Sequence, residues 1–229
     1  MSLYFWILIG TIAGPFFLSF DQKVHFYKFW KYLLPATFIV AIFFLIWDEY
    51  FTQLEVWGFT PRYLQGIYLG NLPLEECLFF ILVPYACLFI HEVLKAYFPA
   101  ITFKKFAHFF AFGFTLLGLI LGLMYFNQAY TASACIISAL LTIGIYYIKK
   151  VTWYGNFVFT FLVAIIPFLI VNGILTGSFT DEPVVWYNEN HIIGIRIFTI
   201  PMEDIFYNYC MLFPIVAIYE WMKNRIKSA

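Results

Sequence analysis

Charge is what this chain has least of. Asp, Glu, Lys and Arg make up only 11% of its 229 residues, against 63% hydrophobic, and so few polar side chains cannot cover a surface facing water. The chain is therefore expected in a lipid bilayer. Its formal net charge is zero, which removes the basic groove that a nucleic-acid partner would require. The four cysteines, Cys77, Cys87, Cys135 and Cys210, lie in apolar segments without CxxC spacing, so they read as small hydrophobes rather than as a disulfide framework or metal ligands. His25, His91, His108 and His191 are scattered, and no metal site is expected. There is no GxGxxG fingerprint for a dinucleotide and no DDxxD or NDxxD run for a magnesium–diphosphate site, so no cofactor is expected either. The apolar stretch 3–20 lacks a basic leader and a small-residue cleavage site. It is expected to be a first membrane helix, not a removed signal peptide.

What is present in excess is long apolar runs. A hydrocarbon core of about 30 Å needs roughly 20 apolar residues as helix, and seven stretches qualify: 3–20, 29–47, 73–94, 106–126, 129–148, 153–175 and 201–222. Lys23, Lys28 and Lys31 fall between the first two, Lys95, Lys104 and Lys105 between the third and fourth, Lys149 and Lys150 between the fifth and sixth, and Lys223, Arg225 and Lys227 at the end. Eleven of the thirteen basic residues thus share one side, which the positive-inside rule makes cytoplasmic. The expectation is a multi-pass cell-membrane protein with its N-terminus outside and its C-terminus in the cytoplasm. Arg62 and Arg196 are the exceptions, in the two longer loops 48–72 and 177–200. No lysine lies in the middle of the seventh stretch to carry a retinal Schiff base; Lys223 is at its end.

Shifting the chain by 128 positions lays 56–95 on 184–223 without a gap, with eight identities: Val56/Val184, Gly66/Gly194, Ile67/Ile195, Pro73/Pro201, Glu75/Glu203, Ile90/Ile218, Glu92/Glu220 and Lys95/Lys223. Glu76 then faces Asp204. The matches include proline and charged positions, which a membrane helix tolerates least. The predicted architecture is all-α: seven transmembrane helices as two parallel three-helix repeats, residues 1–100 and 129–229, joined by a linker helix in 101–128. Parallel repeats are related by an axis along the membrane normal, so the two acidic pairs are expected at one depth.

Those pairs, Glu75-Glu76 in "NLPLEECLFF" and Glu203-Asp204 in "IPMED", are the candidate chemistry. A proline followed by acids also starts helices, but one acid suffices for that and two adjacent ones repel. Four carboxyls gathered in low dielectric cannot all stay ionised; Arg196 or Arg62, if near, would hold some as carboxylates while others keep their protons. A protonated acid beside an ionised base is equipment for moving protons on a substrate. The chain is 24% aromatic, and an aromatic cavity shelters a cation and excludes water. The rings one turn from the acids, Phe79, Phe80, Phe206 and Tyr207, are the candidates, with Asn208 beside them; most other rings are expected in packing and interfacial belts. Glu92/Lys95 and Glu220/Lys223, at the other membrane face, read as surface ion pairs at i, i+3 spacing.

The segments "WDEYFT" (47–52), "LPLEECLFFILVPYACLF" (72–89), "NGILTG" (172–177), "PVVWYN" (183–188) and "IPMEDIFYNY" (200–209) resemble the flavin-independent lycopene cyclases of the two-subunit type. The chain looks like their fused form, with both homologous halves and no phytoene synthase domain; the absent GxGxxG sets it apart from flavin-containing cyclases. The resemblance implies a non-redox β-cyclisation of the linear ψ-ends of lycopene through a carbocation: a proton is added, a ring closes and a proton is lost. It carries Glu75, Glu76, Glu203 and Asp204 over as acid/base candidates and lycopene as substrate, with the bilayer and other carotenoid-pathway enzymes as partners. Asp48 and Asn172, at the ends of the second and sixth spans, either orient the carboxyls or finish their helices. Two alternatives stand beside the cyclase: a carotenoid end-group hydratase, quenching the same cation with water, and a membrane binder or transporter of lipophilic molecules.

Overall fold

The computed structural model describes residues 2–227, and it is built of seven α-helices joined by short irregular segments. They are α1 (Leu3–Leu18), α2 (Trp30–Gln53), α3 (Leu74–Tyr97), α4 (Lys104–Met124), α5 (Ala129–Leu141), α6 (Tyr154–Leu175) and α7 (Glu203–Lys227). Six helical stretches are long and apolar enough to cross a membrane. The chain is a multi-pass integral membrane protein. The exception is α1, whose 16 residues reach only about 24 Å. At the end of α5 the helix widens into a π-helical turn, Thr142–Ile148, which completes that span.

The core is a four-helix centre in which α2 and α6 each pack against both α3 and α7, while α1 backs α3, α5 backs α7 and α4 leans on α5 and α6. Large rings fill it: Phe44, Phe80, Phe157, Tyr209 and Phe213 are almost wholly buried.

The two long loops contain structure that hydropathy does not reveal. After α2 come β1 (Trp57–Phe59), a 3-10 turn (Pro61–Tyr63), β2 (Tyr68–Leu69) and β3 (Leu72–Pro73); after α6 come β4 (Val185–Tyr187), a 3-10 turn (Glu189–His191), β5 (Arg196–Ile197) and β6 (Ile200–Pro201). Each of the four elements of the second loop, β4 included, stands 128 positions beyond its counterpart in the first, residue for residue. Gly66 and Gly194, both at positive φ (81° and 84°), supply the left-handed turn that a side chain would strain. Strands β1 and β4 pair antiparallel with Gly58 opposite Trp186, and reciprocal backbone bonds flank them: Thr60 N–H donates to Val184 O at 2.9 Å and Asn188 N–H to Val56 O at 2.9 Å. A Cβ on Gly58 would lie 2.3 Å from the Trp186 ring, so any larger residue there would have to displace that ring.

At the opposite end of the bundle the expected surface ion pairs are corrected. Glu92, Glu220 and Lys223 are buried, 5–8% exposed, and the pairs cross between α3 and α7. Lys223 Nζ donates to both Glu92 oxygens at 2.8 Å, Lys95 donates to Glu220, and His91 links Glu220 (Nε2, 3.1 Å) to Thr160 (Nδ1, 2.6 Å). The i, i+3 contact Lys95–Glu92 survives at 3.2 Å. Spacing along one helix could not reveal that each acid faces the lysine of another helix.

Candidate active site

The acidic pairs sit in the first turns of α3 and α7. Pro73 serves as the N-cap of α3, with φ −66°, where its missing N–H costs nothing. Neighbouring helical residues point about 100° apart, and each pair is divided by that angle. Glu75 turns back toward the loop, where its Oε1 accepts from Gln65 N–H and from Ser2 Oγ, both at 2.6 Å. Glu203 does the same with Ile193 N–H at 2.7 Å and Thr131 Oγ1 at 2.6 Å. Each ties a loop and the start of a peripheral helix to the start of a central one.

Glu76 and Asp204 turn inward. The Tyr4 hydroxyl donates to Glu76 Oε2 at 2.6 Å. Asp204 receives three donors: Tyr130 OH at Oδ1, and Asn172 Nδ2 and Tyr187 OH (3.1 Å) at Oδ2. Both carboxyls line one cavity of about 40 Å³, with Tyr4, Phe79, Phe168, Val185, Tyr187 and Tyr207 around them. A second, of about 30 Å³, shares Glu76, Val185, Tyr187 and Tyr207 with the first and adds Asp48, Trp57 and Tyr130. Three carboxyls therefore face one small chamber, and no lysine, arginine or histidine lines either lobe. Without a cation, three negative charges there would repel one another.

Rings close the chamber. Tyr207 lies 5.1–6.0 Å, centroid to centroid, from Phe44, Trp47, Trp57 and Tyr130, and Tyr130 stacks on Tyr187 at 5.8 Å. Burial pushes the Tyr187 hydroxyl well above its ordinary pKa, and the neighbouring Asp204 and Glu76 add to this. Tyr187 thus remains a proton donor to Asp204 at any physiological pH. The buried Tyr207 hydroxyl and Asp48 Oδ2 have no hydrogen-bond partner among the described residues.

A model of the lycopene cyclase family matches residues 1–94 and 127–222. The chain belongs to the lycopene cyclase family. The two matched segments contain every chamber carboxyl, and the unmatched 95–126 covers α4. Comparison with curated proteins and with solved structures gives no match. Membership in the lycopene cyclases makes the protein an enzyme that acts on a carotenoid.

For such an enzyme the predicted site residues fall into three groups. Glu76, Asp204, Asp48, Asn172, Phe79 and Tyr207 converge at the chamber. Glu75 and Glu203 are buried beside it but face the loops. Phe80, Phe206 and Arg196 are directed elsewhere: Phe80 packs on Phe44 at 5.7 Å, Phe206 stacks on Phe114 of α4 at 4.8 Å, and Arg196 donates to Thr199 O and pairs with Glu189 at 2.6 Å. Asn208 is wholly buried and its amide finds no partner among the described residues. Sequence reasoning did not single out Tyr4, Tyr130, Trp57, Tyr187 or Phe168. The one available signal was that Tyr4 and Tyr130 stand at similar places at the start of the first and fifth spans.

Among the described residues only His91, Glu92 and Glu220 have ligand atoms near enough to share a metal ion, within 4.8 Å. Lys223 and Lys95 already neutralise those two carboxylates, so a divalent cation would have to displace an ammonium.

Proposed function

We propose that this lycopene cyclase is a β-cyclase that closes ψ-ends of lycopene by acid/base catalysis without a cofactor. The observation that carries the reading is the convergence of Glu76 and Asp204, one from each half of the chain, on a single cavity walled by rings and empty of basic side chains. Glu76 receives one hydroxyl donor and shares its lobe with Asp48, so it is the proton donor. Asp204 receives three donors and is best able to carry negative charge, so it is the base. Protonation of the terminal double bond leaves a cation, which the neighbouring double bond attacks to close the ring. Loss of a ring proton to the base then restores neutrality. The faces of Tyr207, Trp57 and Phe79 would stabilise the cation, and the same rings exclude the water that would convert it to an alcohol. Glu75 and Glu203 act as positioning residues, fixing the helix starts on which donor and base are mounted.

The chamber on this reading lies between two parallel three-helix halves, α1–α3 and α5–α7, with α4 as the linker. The equal 128-residue spacing of the loop elements, the β1–β4 register and the crossed Lys–Glu pairs all support that arrangement. The basic residues favour the end with the lysine pairs as cytoplasmic, placing the chamber near the outer leaflet. The deciding experiment is expression in lycopene-accumulating cells followed by pigment analysis. Monocyclic and bicyclic carotenes with β-rings are expected; hydroxylated acyclic products would identify a hydratase, and unchanged lycopene a binder or transporter.

A further inference from the structure

The chamber is far too small for a C40 hydrocarbon, so most of the substrate must lie elsewhere, and a second cavity has the shape to take it. Between α1, α3 and α6 runs a crevice of about 440 Å³ lined by Ile7, Gly10, Val83, Ala86, Val171 and other small or apolar residues. It carries no charged side chain. Its one hydroxyl, Thr11 Oγ1, is already donated to Ile7 O at 2.9 Å.

Three helices connect it to the acids. On α3, Glu76 and Phe79 line the chamber and Val83, Ala86, Cys87 and Ile90 line the crevice, a single stripe at i+3/i+4 spacing. On α1 the stripe passes from Tyr4, which holds Glu76, to Ile7 and Thr11; on α6 it passes from Asn172, which holds Asp204, to Phe168 and Ala164. Phe168 belongs to the walls of both cavities. From Glu76 to Ile90 the stripe extends about 21 Å along the helix axis.

We infer that the α1/α3/α6 crevice is the polyene subsite: the unreacted part of a long linear hydrocarbon lies there while one end passes Phe168 to reach Glu76 and Asp204. This rests on the cyclase reading above. The occupant is a polyene and not a phospholipid, because no charged side chain lines the crevice to hold a headgroup and its lining stripe continues past Phe168 to the acids that would act on a hydrocarbon end.

Gly10 is exposed in the crevice, and nothing lies within 4 Å of where its Cβ would be; Gly113 on α4 offers the same open space outside it. Gly10→Cys and Gly113→Cys would be purified folded and then labelled with pyrene maleimide, so that the block is added after folding and labelling of native cysteines is common to both. Turnover of lycopene in lipid nanodiscs should fall at least tenfold on labelling Gly10→Cys, measured against the same protein before labelling, and should change by no more than twofold on labelling Gly113→Cys. Lycopene retained per mole of protein should fall in parallel. If labelled Gly10→Cys keeps both turnover and retained lycopene within twofold, the crevice holds only lipid and the inference is overturned. If the unlabelled protein forms no rings yet labelling at Gly10→Cys expels bound lycopene, the subsite stands and the cyclase reading fails.

Discussion

At the scale of single residues, the division within each acidic pair makes the sharpest prediction. Glu76→Gln and Asp204→Asn keep shape and size but remove a proton donor or acceptor in the chamber. Ring formation should fall about 10²–10⁴-fold, the usual worth of a general acid or base, at unchanged membrane levels. Glu75→Gln preserves an oxygen able to accept from Gln65 N–H and Ser2 Oγ, so it should keep measurable turnover, whereas Glu75→Ala leaves buried donors unsatisfied at a cost of about 1–3 kcal/mol. Pigment yield and thermal unfolding in detergent, measured on the same preparations, separate the two effects. Loss of all activity in Glu75→Gln at unchanged stability would place Glu75 in the chemistry instead. The four carboxyls were legible in the sequence because proline and acid recur at one offset. Their separation into inward and outward members was not, since it depends on where each helix face points once packed. Tyr4, Tyr130 and Tyr187 escaped because in a chain with 17 tyrosines no single one stands out until its hydroxyl is seen on a carboxylate.

At the scale of elements, hydropathy found six long spans and the short α1, because an unbroken apolar run has few other ways to satisfy its backbone in lipid, but it ended the second at 47 and the seventh at 222, where α2 continues to Gln53 and α7 to Lys227 through polar last turns. The two loops were legible only as polar intervals. Their two- and three-residue strands are set by pairing across the bundle, and Trp57 opposite Tyr187 is a contact 130 positions apart in sequence that no local pattern announces. That seam roofs the chamber, since both residues line it. Gly58→Val should therefore push Trp186 aside, with an overpacking cost of about 1–3 kcal/mol. Thermal unfolding should show that loss, and cyclic products should fall with it as the roof opens. A Gly58→Val protein of wild-type stability and activity would mean that the seam can part without harm. At the other wall, Phe168→Ala removes the ring that the chamber shares with the lipid-facing crevice, so the reacting end is held less firmly and the yield of cyclic product should fall, read directly by chromatography of extracted pigments.

At the scale of the whole molecule, two devices hold the centre together: the β1–β4 seam at the end bearing the acids and the crossed lysine–glutamate network at the other. Breaking a buried charge pair by removing one partner typically costs about 3–5 kcal/mol, far more than replacing both. Lys223→Met leaves Glu92 with Lys95 alone, so it should lower unfolding temperature sharply, and Glu92→Gln added to it should restore part of the loss. The network also predicts how the molecule can be divided. The family match stops at residue 94 and resumes at 127, and among the described residues 95–126 contribute no strand, so residues 1–100 and 101–229 expressed as two polypeptides should associate through α2, α3, α6, α7 and the β1–β4 seam and form rings in lycopene-accumulating cells. Because both crossed pairs span that cut, Lys223→Met should weaken assembly of the split protein far more than it weakens the intact chain, where the connection through α4 keeps the partners at high effective concentration. Co-purification of the two pieces, compared with pigment yield from the intact variant, measures that difference. Equal loss in both formats would mean that the network stabilises each half internally and does not join them.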